Sequence, residues 1–171
     1  NGASNPSFTE VDIKTDFGSI FSVYGDDIDR DGDQDILVGG TKLALYKSNG
    51  AADPSFTEVT IDSSAFFTRV QSIDVDKDGD LDVVASSYSN GGFVAWYEND
   101  GAANPGFTKN TVASSLGSVY AIHAEDVDKD GDIDLVSANS GAGKVVFYEN
   151  NGAADPAWTS SDVASSTGFL R

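Results

Sequence analysis

The sequence predicts an all-β fold assembled from repeats of one four-stranded antiparallel meander, and three observations predict it. A phrase of the form Asn-Gly-Ala-Ser/Ala-Asn/Asp-Pro-x-Phe recurs at Asn1 to Phe8, Asn49 to Phe56, Asp100 to Phe107 and Asn151 to Trp158. It contains every proline of the chain, Pro6, Pro54, Pro105 and Pro156, which stand 48, 51 and 51 residues apart. Within each period apolar residues alternate in the strand manner between Gly, Asn, Asp and Pro punctuation, and no stretch sustains a helical period. An acidic segment falls once in each of three periods, at the same place in the unit. A repeat of about 50 residues has the length of a propeller blade, so the units are expected to be β-propeller blades.

Each unit reads as four strands. The first ends with Ile20 to Tyr24, Thr68 to Ser72 and Val119 to His123, each running into an acidic loop. The second leaves that loop at once, as Ile36 to Val38, Val83 to Ala85 and Leu135 to Ser137. Hairpin signals such as Ser89-Asn90-Gly91-Gly92 and Ser140-Gly141-Ala142-Gly143 lead to a third strand, Leu43 to Tyr46, Val94 to Tyr97 and Val145 to Tyr148. After the Asn-Gly and Pro turn comes a fourth, as in Phe56 to Ile61 or Phe107 to Val112.

A single meander has two apolar faces and cannot bury both alone, so neighbouring units are expected to stack face to face around an axis. Leu45, Trp96 and Phe147 are read as the wedge between units, in a core role. The chain divides into an outer strand of a preceding blade over about residues 1–19, including the segment Phe8 to Ile13, then blades at 20–64, 65–115 and 116–171. Three loop-bearing units plus that extra N-terminal outer strand do not easily close a ring. A homo-oligomer, or membership of a longer repeat chain, is therefore expected.

Composition excludes several classes of function. A net charge of −18, from 28 acidic against 10 basic residues, repels nucleic acid phosphates and anionic membranes, so no nucleic acid partner is expected. Without cysteine there is no disulfide or thiolate metal site. Apolar runs such as Lys144 to Tyr148 are strand-length, far short of the roughly 20 residues of a membrane helix, and no membrane insertion is expected. The absence of methionine, even at position 1, suggests a processed product or a piece excised from a longer precursor.

The acidic segments share the pattern Asp-x-Asp-x-Asp-Gly-Asp-x-Asp and hold 15 of the 28 acidic residues. Carboxylates so crowded repel one another unless a hard cation sits among them. In an EF-hand-like loop, positions 1, 3 and 5 turn side-chain oxygens inward, position 7 adds a backbone carbonyl, and Gly at position 6 permits the sharp turn. This gives Asp27, Asp29, Asp31, the carbonyl of Asp33 and a closing, bidentate-capable Asp35 around Gly32. The second set is Asp74, Asp76, Asp78, Asp80 and Asp82 around Gly79; the third is Asp126, Asp128, Asp130, Asp132 and Asp134 around Gly131. A β-strand follows position 9 directly, where an EF-hand would continue toward a Glu at position 12 and a helix, so these are strand-loop-strand sites. All-oxygen ligands in a flexible multi-carboxylate cage favour Ca²⁺ over Mg²⁺, zinc or copper, and three Ca²⁺ per chain are expected. The ions are expected to brace the blades, coupling metal binding to folding.

These loops, the hydrophobic strand after each, and the signature Trp96-Tyr97-Glu98-Asn99, repeated as Phe147-Tyr148-Glu149-Asn150, resemble the FG-GAP/VCBS repeat family, the integrin α-subunit type of propeller blade. The resemblance covers essentially the whole chain. It implies propellers of about seven blades, Ca²⁺ between the first and second strands, a secreted or cell-surface location, and adhesion to, or recognition of, a protein or carbohydrate ligand.

A calcium-binding extracellular module acting as an adhesion or ligand-recognition scaffold is the function this predicts. The alternatives are a structural subunit assembling into a ring or filament, and the non-catalytic part of a polysaccharide-active enzyme. No enzyme activity, catalytic residue or organic cofactor is expected. His123, the single histidine, falls on a first strand where Tyr24 and Gln71 hold the matching places, and such a residue is more often packing or channel lining than a base. The carboxylates Asp26, Glu98 and Glu125 could pair for glycoside chemistry, but the sequence gives no distance between them. Tyr88, Asn90, Asn139 and Lys144 lie near hairpin loops, where a partner could touch them.

Overall fold

The computed structural model describes residues 10, 12, 13 and 16–165. The expected outer strand at Phe8 to Ile13 lies largely outside the described residues; Glu10, Asp12 and Ile13, which are described, are in no strand. The described chain is all-β. Strands β1 (Ile20–Asp26), β2 (Asp35–Gly40), β3 (Leu43–Ser48) and β4 (Phe56–Asp62) form the first sheet. Strands β5 (Phe67–Ile73), β6 (Asp82–Ser87), β7 (Phe93–Asn99) and β8 (Phe107–Ser114) form the second. The third contains β9 (Val119–Glu125), β10 (Asp134–Asn139), β11 (Lys144–Asn150) and β12 (Trp158–Ser165). Each is an antiparallel meander in sequence order, the arrangement that short turns between β-rich segments favour. No helix among the described residues is long and apolar enough to cross a membrane.

The registers make the sheets superimposable position by position. Leu37 pairs with Leu45 where Val84 pairs with Trp96 and Val136 with Phe147. Successive residues of a strand point to opposite faces, so each meander offers two apolar faces, and the sheets stack through them. Leu37, Leu43 and Leu45 of the first sheet pack on Phe67, Val70, Val83 and Tyr97 of the second. Val84, Val94 and Trp96 of the second pack on Val119, Leu135, Val146 and Tyr148 of the third. Of the three expected wedge residues, Leu45 and Trp96 are buried between sheets, whereas Phe147 is half-buried on a face that no other described sheet covers.

The two outer faces are covered only in part: on the first sheet Phe17 packs on Val38, Ala44 and Tyr46, which are buried, while the residues toward its first strand stay exposed. Ile20 and Val23 on the first sheet are 51% and 65% exposed, although their counterparts Phe67 and Val70 are buried. On the third sheet Val127 is 46% exposed, although Ile28 and Val75 at the same loop position are buried.

The repeated phrase closes the turn before each fourth strand. Asn49 Oδ1 accepts hydrogen bonds from the N–H groups of Ala51 (3.3 Å) and Ser55 (3.0 Å), and Asp100 and Asn151 do the same in their own repeats. The glycine that follows is required for two reasons. Gly50, Gly101 and Gly152 have φ of +64°, +66° and +68°, and an added Cβ would stand 1.9, 2.1 and 2.2 Å from Oδ2 of Asp33, Asp80 and Asp132.

Candidate metal centres

The three acidic loops join the first to the second strand of each sheet, at one end of the stack, and their internal hydrogen bonding repeats atom for atom. Gly32, Gly79 and Gly131 have φ of +96°, +98° and +98°, which reverses the chain so that their N–H groups donate to Oδ2 of Asp27, Asp74 and Asp126 at 3.0, 3.2 and 3.2 Å. The third-position carboxylates Asp29, Asp76 and Asp128 accept from the N–H two residues on, and the fifth-position Asp31, Asp78 and Asp130 do likewise. Residue 4 of each loop, Arg30, Lys77 or Lys129, is itself left-handed, with φ of +57°, +64° and +68°.

The ninth-position residues Asp35, Asp82 and Asp134 are wholly buried. One oxygen of each accepts from the N–H at loop position 2, Ile28, Val75 or Val127, at 3.2, 2.9 and 3.1 Å. The other accepts from the N–H of Ser48, Asn99 or Asn150 at the end of the third strand, at 2.8, 2.9 and 3.0 Å. The expected closing carboxylate is thus first a clamp that fastens the loop to the meander, with one lone pair per oxygen left for a cation. Asn99 and Asn150 of the aromatic signature also tie neighbouring loops together: their amides donate to Ile28 and Leu81, and to Val75 and Ile133.

Ligand-capable oxygens converge in each loop. Those of Asp27, Asp29 and Asp35, of Asp74, Asp76 and Asp78, and of Asp126, Asp128 and Asp134 lie within 4.8 Å of one another in each group. The side chains of Asp33, Asp80 and Asp132 turn away to Gly50, Gly101 and Gly152, which is compatible with a ligand role only for their carbonyls. Burial pushes the Asp82 carboxyl up to about 7 and raises Asp35 and Asp76, as expected of acids that lose water without gaining a counter-ion.

A cation fits these loops on one further observation. Oδ1 of Asp27, of Asp74 and of Asp126 is buried and has no hydrogen-bond partner. A buried carboxylate oxygen with neither donor nor water is costly, on the order of 1–3 kcal/mol or more. The same atom is orphaned in all three loops, at the first ligand position of the pattern.

Two features escape the sequence reading. Cations link adjacent loops: Arg30 Nη1 is 3.1 Å from Asp80 Oδ1, and Lys77 pairs with Asp132. The recurrence of a basic residue at loop position 4 was the available signal. The loops are also unequal, because Lys47 Nζ lies 2.7 Å from Asp29 Oδ2, while the register puts Glu98 and Glu149 at the places equivalent to Lys47.

The remaining candidates carry no catalytic constellation. His123 is exposed and sits 3.1 Å from Glu125, its neighbour on the same face of β9. Asp26 accepts from Ser72 at 2.6 Å and Glu98 from Asn110 at 3.3 Å. Of the hairpin residues, Asn139 is buried and accepts from Ser137, Asn90 donates to Ser64, and Lys144 pairs with Asp162 at 2.6 Å, so Asn139 is not available to a partner. Tyr88 alone of the four joins a larger group of side chains, with Phe21, Phe66 and Tyr120.

The model of the FG-GAP-like repeat matches residues 27–85 and again residues 74–137. No curated protein matches the chain.

Proposed function

The chain belongs to the FG-GAP-like repeat family, and on that premise we propose that it is a calcium-braced array of propeller blades serving as a recognition or adhesion scaffold at or outside the cell surface. The observation that carries the calcium reading is the orphaned buried Oδ1 of Asp27, Asp74 and Asp126. Asp27, Asp29, Asp31 and Asp35, with the carbonyl of Asp33, would hold one ion, and the equivalent residues of the other loops would hold two more. Bound Ca²⁺ would supply charge neutralisation and a joint between the first and second strands of each blade. Since the family is generally one of non-catalytic repeat modules, no reaction is assigned.

The apolar side chains left exposed at the two ends, Ile20 and Val23 on one and Val127 on the other, support a second element of the reading: further blades continue the stack, from a second copy or from a longer chain. Each interior junction pairs a position-4 cation with a position-7 Asp of the next loop. Among the described residues, Lys129 at one end makes no ion pair and Asp33 at the other end has no cation, so the ends are complementary. Exposed ion pairs of this kind add little stability, about 0–1 kcal/mol, but they fix the register in which apolar faces meet.

Calorimetric titration of the decalcified protein tests the proposal. The expected result is three ions per chain, two bound more tightly and one more weakly, because the Lys47 ammonium already neutralises part of the first loop. Asp74→Asn should remove one of the tight sites. Absence of binding, or binding unchanged by Asp74→Asn, would refute the assignment.

A further inference from the structure

The end of the stack opposite the acidic loops carries an aromatic groove that neither the fold nor the metal centres require. Phe21 of β1, Thr68 and Arg69 of β5, Tyr88 after β6 and Tyr120 of β9 line a groove of about 360 Å³ that draws on all three sheets, a volume within the usual range of small-ligand sites. Phe21 and Tyr120 are 47% and 54% exposed. Large aromatic rings left in water at one place mark a binding surface more often than a packing accident.

The rings are arranged rather than scattered. Tyr88 and Tyr120 lie nearly parallel, 8° apart at a centroid separation of 6.3 Å, while Phe21 meets Tyr88 edge-on at 6.1 Å and Phe66 backs Tyr88 at 5.7 Å. A repeated backbone device puts them there. The first strand of every sheet has an irregularity at its start, between Ile20 and Ser22, between Phe67 and Arg69, and opposite Ala138 and Asn139, which leaves Phe21, Thr68 and Tyr120 without a partner in the ladder. Such bulges re-aim a side chain away from the regular alternation. Thr68 spends its hydroxyl bridging to the Val119 carbonyl at 2.7 Å, which fastens the second and third sheets at the floor. The two positions flanking it carry the exposed rings.

The groove is also a charge anomaly. In a chain of net charge −18, its lining includes no carboxylate and one cation, Arg69. That guanidinium is held by Nη1, which donates to the carbonyls of Phe21 at 3.2 Å and Thr68 at 3.4 Å. Neither bond uses Nη2 or Nε, and a planar fork fixed on one side is suited to receive a carboxylate on the other. Aromatic platforms complement the C–H face of a sugar ring, and two tyrosine hydroxyls add polar contacts at the rim.

We propose that this groove is a binding site for acidic oligosaccharides, in which Tyr88, Tyr120 and Phe21 stack against sugar rings and Arg69 pairs with a uronate carboxylate. The proposal rests on the recognition-scaffold reading and gives it a substrate class. It is independent of the metal loops, which lie at the other end of the same strands.

The test is a glycan array of galacturonate, glucuronate and mannuronate oligomers beside their neutral galactose, glucose and mannose counterparts, probed with the calcium-equilibrated protein. Uronate oligomers are expected to bind at least about tenfold better than the neutral ones, a difference of one ion-paired contact. Tyr120→Ala and Arg69→Ala should each weaken that binding about tenfold or more while the chain stays folded with its calcium stoichiometry unchanged. No binding to any uronate oligomer, equal binding of neutral and acidic members, or variants that bind like the parent would overturn the proposal. Binding through a loop-held calcium would survive Arg69→Ala and disappear with EGTA, which is one of those overturning results. A chain that takes no calcium yet binds uronates through Arg69 would defeat the metal reading and leave the groove standing.

Discussion

Withdrawing calcium with EGTA is expected to lower the melting temperature of the protein by roughly 15–30 °C, an effect read directly by calorimetry or far-ultraviolet circular dichroism. An ion bound at about 100 times its dissociation constant stabilises the folded state by about 2.7 kcal/mol per site, so three sites contribute about 8 kcal/mol. That is comparable with the entire stability of an ordinary domain, about 5–15 kcal/mol, and each kcal/mol moves the midpoint about 2–4 °C in a chain of this size. The molecular reason lies in the loops. Without a cation the orphaned oxygens of Asp27, Asp74 and Asp126 stay buried without a partner, and the carboxylates around them repel. Added Ca²⁺ should restore the transition, and Mg²⁺ at the same concentration should restore less, because it demands a tighter octahedral shell and gives up water reluctantly. Identical melting curves with and without chelator would show that the ions do not brace the fold.

Trp96→Ala is the substitution expected to cost most, about 3–5 kcal/mol. Trp96 is buried between the second and third sheets, against a cluster that includes Val119, Leu135, Val146 and Tyr148. Truncation leaves a cavity in the joint that holds two meanders together. Phe147 occupies the equivalent register position on the open face of the third sheet, so Phe147→Ala should cost well under half as much in a chain whose end face is bare. Denaturant titrations of the two variants, run side by side at low protein concentration, measure the contrast. If Phe147→Ala proves as damaging as Trp96→Ala, the end face is already covered under those conditions. If Trp96→Ala is nearly neutral, the sheet-on-sheet core described for the second and third repeats is wrong.

Much of this architecture is legible in the sequence because the chain repeats itself. The recurrence of Asn-Gly and Pro fixes the unit length, and the alternation around Leu45, Trp96 and Phe147 identifies the third strands, which the structure places there. The acidic spacing includes the residues whose oxygens converge, three of the five in each loop, because most of the turn is local and is made by left-handed residues at positions 4 and 6. What the spacing does not reveal is the double duty of Asp35, Asp82 and Asp134, because their partners Ser48, Asn99 and Asn150 are 13 to 17 residues away along the chain. The special standing of the first loop was hidden for a similar reason. Lys47 reaches Asp29 only after the third strand has folded back over the loop, and a change of residue type in one column, Lys47 against Glu98 and Glu149, was the sole trace. The aromatic groove escaped for a different reason. Its rings come from three repeats and are aimed by ladder irregularities that no residue pattern announces, so Phe21 and Tyr120 look like ordinary strand residues until the sheets are stacked.

The central claim, that each acidic loop is a calcium centre built around one orphaned oxygen, is tested most directly by anomalous scattering from crystals grown in calcium. The account predicts three peaks per chain, each at a Ca–O ligand distance of about 2.3–2.6 Å from Oδ1 of Asp27, Asp74 or Asp126, with the first of the three the weakest because Lys47 competes for Asp29. Loops that bind no ion at millimolar calcium, with those three oxygens hydrogen-bonded to water or to a rearranged N–H group, would contradict it.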